Sequence, residues 1–166
     1  EILPWKFPTG DELPEIKVKF TTKADLNGGA LLPFKRNIDL VRPWIIPGTP
    51  GLEHRIGGLE KKNETGNVCY EPLNHELMVK LGDEKVQRIA EYIPLQKVDN
   101  GKDHGKLVIL GWGSTYGTIR TAVRELIAEG MDVAHIHLRY INPFPKNLGE
   151  LLKKYDNVLI PEMNNG

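Results

Sequence analysis

The last third of the chain alternates between runs of apolar residues and apolar residues spaced three or four apart. The aliphatic run at 107–110 is typical of a strand buried on both faces. Similar runs at 133–138 and 158–160 predict two further strands. Two stripes with helical spacing lie between the strands: Ile119, Ala122, Val123, Leu126 and Ile127, and then Leu148, Leu151, Leu152 and Tyr155. Two successive strand–helix–strand crossovers predict a three-layer α/β fold with an open, mostly parallel sheet.

The first half of the chain shows little of this regularity. Seven of the 12 prolines fall within residues 1–50, which argues against a long helix there. Apolar and charged residues alternate at 15–20 and predict one short strand. A proline- and glycine-rich loop at 42–58 carries apolar anchors, so we expect it to be ordered. One long helix is predicted from an N-cap at Asn74, with a weak point at Gly82.

These patterns divide the chain into three parts. We expect a loop-rich connecting segment at 1–95 that ends in the long helix, a polar linker at 96–105, and an α/β domain at 106–166. An open sheet of three strands leaves an edge uncovered, so we expect this domain to be truncated at its C-terminal end.

Composition excludes several classes of function. The chain has 22 basic and 22 acidic residues, and this balance gives no field that would attract nucleic acid or an anionic membrane. Cys69 is its one cysteine, so neither a disulfide within the chain nor a cysteine-based zinc or iron–sulfur site is expected. No apolar run approaches the ~20 residues of a membrane helix. We expect a cytoplasmic protein.

Three glycines lie between the first strand of the α/β domain and its helix, at Gly111, Gly113 and Gly117, and Ser114 stands at the N-cap position. Backbone N–H groups at a helix N-terminus attract phosphate, so Gly113 and Ser114 are candidates for binding an anion or another subunit. A dinucleotide site also needs an acidic residue after the second strand, where this chain has Arg139. We therefore favour the alternative that the glycines serve a tight turn.

Five side chains elsewhere carry chemistry worth testing. His54 and Arg55, in the loop at 42–58, can bind a carboxylate or phosphate, or they tie the loop to its neighbours. His135 and His137 share one face of the second strand, where a structural role is favoured over metal binding because no third ligand has suitable spacing. Glu162 follows the third strand, where open α/β sheets collect ligand contacts. We assign no catalytic or metal-binding residue, since no hydrolase, zincin or P-loop motif is present.

Three stretches together carry a resemblance to a known family: "RPWIIPGTPGLEHRIGGLE", "LVILGWGSTYGTIRTAV" and "HLRYINPFPKNLGELLKKYDNVLIPEMNNG". They resemble, in order and with natural spacing over about residues 42–166, the C-terminal half of the α subunit of 2-oxoacid:ferredoxin oxidoreductases, most of all the 2-oxoglutarate type. Residues 106–166 are similar to the C-terminal domain of transketolase.

The resemblance implies a thiamine-diphosphate-dependent enzyme that decarboxylates a 2-oxoacid, passes the acyl group to coenzyme A and the electrons to ferredoxin. Thiamine diphosphate, Mg²⁺, coenzyme A and iron–sulfur clusters would belong to the whole enzyme, and none is expected on this segment alone. Its partners would be the β subunit and the pyrimidine-binding domain upstream in its own subunit. The resemblance thus implies a structural segment at a subunit interface.

Two other functions remain open from the residues. The segment can act purely as an assembly module through its bare sheet edge and the loop at 42–58. It can also be an autonomous NADP-binding domain built on the glycine turn, which the missing acidic residue makes the weaker alternative.

Overall fold

The computed structural model describes residues 8–164, which form two compact units at 8–88 and 89–164. The structure therefore divides the chain between Arg88 and Ile89, whereas the sequence pattern placed the change at the linker 96–105. Among the residues described, no helix is both long and apolar enough to cross a membrane.

The unit at 8–88 consists of ordered loops, two short 3₁₀ turns and one helix, α1 (Pro72–Arg88). Its buried core is small: among the described residues, the buried apolar side chains of this unit are those of Pro33, Leu52 and Cys69. Two isolated antiparallel bridges hold the loops together, Phe34 with Glu64 and Lys61 with Val68. The expectation of a loop-rich segment that ends in a helix is confirmed.

Details of this unit differ from the sequence expectations. The strand at 15–20 was wrong: the segment pairs with no other strand, and Ile16 is 79% exposed. Asn74 does not cap α1, because it lies two residues inside the helix. Its side chain instead accepts a hydrogen bond from the Asn63 N–H at 2.9 Å and donates one to the Lys61 carbonyl at 3.0 Å. Gly82 does not break the helix.

The unit at 89–164 contains the predicted parallel sheet. Its strands β1 (Gly105–Trp112), β2 (Val133–Leu138) and β3 (Tyr155–Leu159) lie in the order β2-β1-β3. Helix α2 (Tyr116–Ala128) connects β1 to β2, and α3 (Leu148–Leu152) connects β2 to β3. In both strand pairs β1 runs parallel to its neighbour.

The two helices cover opposite faces of this sheet, which confirms the three-layer α/β architecture. Side chains alternate between faces along a strand, so β1 and β2 each contribute to two cores. One core contains residues from α2 and the other residues from α3. The first consists of Ile109, Ile119, Val123 and Val133; the second consists of Val108, Leu110, Ala134, Ile136, Leu138, Leu148, Leu151 and Tyr155.

Residues 96–101 pack along the outer edge of β2. The Asp99 N–H donates to the His135 carbonyl at 2.9 Å, and Asn100 forms an antiparallel bridge with His135. Gly101 has a φ of +91°, and a Cβ at this position would lie 2.6 Å from the Val133 carbonyl oxygen. The polar segment thus covers the backbone of β2 on the side that β1 leaves free.

Candidate functional site

The strand order places the candidate site at the carboxyl ends of β1 and β3. The connection from β1 leads to β2 on one side of it, and the connection from β2 crosses back to β3 on the other side. In open α/β sheets, ligands bind where the direction of the connections reverses in this way. Ser114 is exposed directly after β1. The last parallel pair is Ile109 with Leu159, and the half-buried Glu162 follows three residues after Leu159. The sequence prediction placed Glu162 at this end of the sheet, and the structure places it there.

Packing and backbone conformation explain the glycines of this turn. A Cβ on Gly111 would lie 2.4 Å from the Ile119 Cδ1 and 2.8 Å from the Thr115 Oγ1, so glycine is required for α2 to approach β1 this closely. Gly113 has a φ of +59°, in the left-handed region that favours glycine. Gly117 has open space around its Cα. Each constraint is satisfied without a phosphate.

Ser114 does not cap the helix as the sequence predicted. A 3₁₀ turn at Gly113–Thr115 precedes α2, which begins at Tyr116, and Thr115 occupies the N-cap position. The Thr115 hydroxyl donates to the Trp112 carbonyl at 2.7 Å. The extra turn moves the helix start by one residue and leaves the Ser114 side chain exposed.

The two histidines of β2 lie on the face covered by α2, as their spacing predicted. The ring of Tyr116 lies 5.6 Å from that of His135 and 4.8 Å from that of His137, centroid to centroid. His135 is 0% exposed. Within the described residues, neither of its ring nitrogens has a hydrogen-bond partner, nor has the Nδ1 of His137. Both rings therefore contribute aromatic packing against Tyr116.

Burial sets the charge state of this pair. It lowers the pKa of His135 and of His137 below their ordinary value, and the opposing effect of the Asp99 carboxylate is smaller. Both rings are therefore held neutral in the folded protein near neutral pH.

His54 and Arg55 lie in the unit at 8–88, on the loop that follows the buried Leu52. The His54 Nδ1 lies 3.0 Å from the Leu52 carbonyl oxygen and turns the ring back onto its own loop. Arg55 is exposed, and it forms no ion pair among the described residues. The structure therefore leaves the Arg55 guanidinium available to an anion or a subunit.

Sequence reasoning missed the residue that organises this loop. Lys61 is 6% exposed, and its ammonium group donates to the carbonyl of Gly57 at 2.9 Å and also to that of Leu59. A buried ammonium needs such acceptors, because an unpaired buried charge is costly. The one sequence signal for this arrangement is the pair of adjacent glycines at 57–58, since a glycine backbone can turn a carbonyl inward.

Two of the groups that the resemblance implies, a bound metal ion and an iron–sulfur cluster, have no set of ligands among the described residues. No group of three or more histidine, cysteine or acidic residues is placed to hold a metal ion among the described residues. Cys69 is buried and cannot supply the several thiolates that an iron–sulfur cluster requires. Within residues 8–164 we therefore assign no ligand to a metal ion or a cluster.

Comparison with known proteins decides the family. Residues 105–166 match the family described as Pyruvate:ferredoxin oxidoreductase core domain II. The 2-oxoglutarate oxidoreductase subunit KorA of Mycobacterium tuberculosis is 47% identical over 98% of this chain and 24% of its own length. The chain belongs to the family of 2-oxoacid:ferredoxin oxidoreductase α subunits.

Other relatives agree with this assignment. The 2-oxoglutarate synthase subunit KorA of Methanocaldococcus jannaschii is 32% identical over 74% of this α-subunit segment and 33% of its own length. A 2-oxoglutarate:ferredoxin oxidoreductase structure from Magnetococcus marinus, with 2-oxoglutarate, coenzyme A and succinyl-CoA bound, superposes with a TM-score of 0.79. It is 28% identical, and the match covers 95% of the segment and 27% of that chain. The segment thus spans about a quarter to a third of the length of these relatives.

Proposed function

We propose that this segment is a non-catalytic part of an enzyme that oxidatively decarboxylates a 2-oxoacid, with 2-oxoglutarate as the first substrate to test. One 2-oxoglutarate and one coenzyme A would give succinyl-CoA and carbon dioxide, and the two electrons released would reduce two ferredoxins. The segment would hold the α subunit's α/β domain in place beside the groups that react.

The observation that carries the proposal is the identity of 47% to the mycobacterial subunit across 98% of the chain. This match includes both units, so it rests on the irregular loops as much as on the sheet. Sheets of this architecture host many functions, and agreement in the loops is the more specific signal.

Cofactors and partners follow from the same proposal. Thiamine diphosphate with Mg²⁺ would supply the decarboxylation chemistry, and iron–sulfur clusters the electron transfer, from other parts of the enzyme. The β subunit and the pyrimidine-binding domain of the same subunit would be its structural partners, and ferredoxin the electron acceptor. The enzyme would act in the cytoplasm. We further propose Arg55 and His54, and the turn at Gly113 and Ser114, as contacts to an anion or a subunit.

The proposal is tested with the full-length protein assembled with its β subunit. Reduction of a viologen dye should require 2-oxoglutarate, coenzyme A and thiamine diphosphate, and omission of any one should abolish it. An assembled complex that contains its cofactors and reduces no dye with any 2-oxoacid would contradict the proposal.

An assembly role is compatible with the same structure. β3 pairs with β1 on one side, and Val158, Leu159 and the following Ile160 are about half exposed. Apolar edge strands of this kind associate with other chains or segments. If assembly is the whole role, deletion of the loop at 42–58 should prevent the subunits from associating.

A further inference from the structure

A cleft in the unit at 8–88 concentrates positive charge that the chain as a whole does not have. We call it the cationic cleft; its walls come from residues 16–19, 21, 25–26, 30–32, 35–37 and 41–44, and its volume is about 870 Å³. Its lining contains five lysine or arginine residues and one aspartate, although the complete sequence is neutral. The charge is thus segregated around one concave surface.

Two arginines of the cleft are held against the same aromatic ring. The guanidinium carbon of Arg42 lies 4.6 Å from the centroid of the Phe34 ring, and that of Arg36 lies 5.9 Å from it. Phe34 is fixed in turn, because its N–H donates to the Glu64 carbonyl at 2.9 Å. A Cβ on Gly66 would lie 2.9 Å from this ring, so the ring packs directly on the glycine backbone. The arginines are therefore positioned before any ligand arrives.

The positive charge of the cleft is not neutralised by the described residues. Asp25 is the acidic residue of the lining, and its carboxylate is already within 3.4 Å of the Lys19 ammonium. Arg36 donates to the carbonyl of Phe34 and to the Asn63 side chain, both uncharged acceptors. Arg42 makes no ion pair within the described range. Burial and then the like charge of Arg42 lower the pKa of Arg36, which agrees with an unneutralised cationic site.

An aromatic surface lies on the rim of the same cleft. Trp44 is 56% exposed although its backbone is fixed: its carbonyl accepts a hydrogen bond from the Thr21 N–H at 2.6 Å. The ring of Phe20 lies 6.4 Å from that of Trp44. An exposed indole beside the cations of the cleft is suited to stack a flat ring whose attached groups are anionic.

We propose that the cationic cleft binds a ligand with the chemistry of an adenine nucleotide, a flat base joined to phosphoryl groups. The phosphoryl oxygens would bind the Arg42 guanidinium and the exposed ammonium groups of Lys17 and Lys35, and the base would stack on Trp44. Both a free nucleotide and the nucleotide portion of coenzyme A have this chemistry. Coenzyme A as the source rests on the proposed function, whereas nucleotide binding does not.

The test is isothermal titration calorimetry of the full-length protein with ADP, inorganic pyrophosphate, adenosine and coenzyme A. ADP should bind more tightly than pyrophosphate, because only ADP has a base, and more tightly than adenosine, which has no phosphate. Salt should weaken ADP binding, since it screens the charges. A competition experiment identifies the source. If coenzyme A displaces ADP, coenzyme A occupies the cleft; if both bind at the same time, the cleft is a site for free nucleotide.

Variants tie binding to the cleft. Arg42→Gln should weaken ADP binding about tenfold, equivalent to about 1.4 kcal/mol. Because Arg42 also packs on Phe34, the double variant Lys17→Gln with Lys35→Gln tests the same claim with exposed side chains. Lys85→Gln removes one exposed charge from α1, outside the cleft, and should leave the affinity unchanged.

The failure of this inference is separate from that of the proposed function, because binding is measured without turnover. No heat from ADP at millimolar concentration would overturn it. Equal ADP affinity in the wild type and in both cleft variants would also overturn it. Equal affinities for ADP and pyrophosphate would refute the stacking on Trp44.

Discussion

Substitution of Gly111 by alanine tests whether the glycine turn is needed for helix packing. The new methyl group would lie 2.4 Å from the Ile119 Cδ1 and 2.8 Å from the Thr115 Oγ1. Ile119 is buried in the core beneath α2, and Thr115 is held by its hydrogen bond to Trp112. Either these two side chains change rotamer, with loss of contacts, or α2 shifts away from β1, and both responses reduce stability.

The magnitude follows from two opposing effects. Overpacking of a core costs about 1–3 kcal/mol. Alanine restricts the unfolded chain and returns about 0.4–1 kcal/mol. We expect Gly111→Ala to destabilise the sheet by about 1–2 kcal/mol, equivalent to a roughly 5- to 30-fold increase in the equilibrium constant for its opening.

Hydrogen exchange by mass spectrometry on the full-length protein measures this opening locally. Peptides from 105–138 should exchange faster in Gly111→Ala by that factor. Gly117→Ala is the matched control, because its Cβ meets open space within a helix and should leave exchange equal or slower.

A second substitution isolates the contact. Ile119→Val removes the Cδ1 atom and alone costs about 0.5–1.5 kcal/mol. In the Gly111→Ala background the same substitution should instead restore about 1 kcal/mol of the stability that the alanine removes. Strictly additive effects, or wild-type exchange in Gly111→Ala, would refute the packing account.

Three further predictions address single contacts. Gly113→Ala should cost about 1 kcal/mol through its φ of +59° and accelerate exchange at 113–118; unchanged exchange would argue against backbone strain. Lys61→Met should remove two hydrogen bonds from a charged donor, to the carbonyls of Gly57 and Leu59, and cost about 1–3 kcal/mol, visible as faster proteolysis of the loop at 52–61; wild-type cleavage would contradict the role of Lys61. Because burial lowers the pKa of His135 and His137 in the folded protein, the unfolded chain binds protons at a higher pH than the folded protein does. The free energy of unfolding of the sheet, fully present above pH 6.5, should therefore fall as the pH drops below 6.5. Urea titrations with hydrogen exchange as the readout measure this dependence, and the double variant His135→Gln with His137→Gln should flatten it.

The sheet was predictable because its signals are local. The aliphatic run at 107–110 and the stripe from Ile119 to Ile127 each identify an element from fewer than ten neighbouring residues. The strand order was not predictable, because it depends on whether β3 pairs with β1 or with β2. The position of the candidate site between β1 and β3 depends on that long-range choice.

The unit at 8–88 was less predictable for the same reason. The alternation at 15–20 is typical of a strand, but a strand also needs a partner, and none is present there in the described structure. The cationic cleft depends on Phe34, which is held by Glu64 and Gly66 some 30 residues later. No local pattern relates Arg36 and Arg42 to that contact.

The most direct measurement of the central claim is product analysis with the full-length protein and its β subunit. The complex is supplied with 2-oxoglutarate labelled with ¹³C at carbon 1, coenzyme A and oxidised ferredoxin. The account predicts labelled carbon dioxide and succinyl-CoA in equal amounts, with two ferredoxins reduced for each. A complex that contains its cofactors and releases no carbon dioxide from any 2-oxoacid would contradict it.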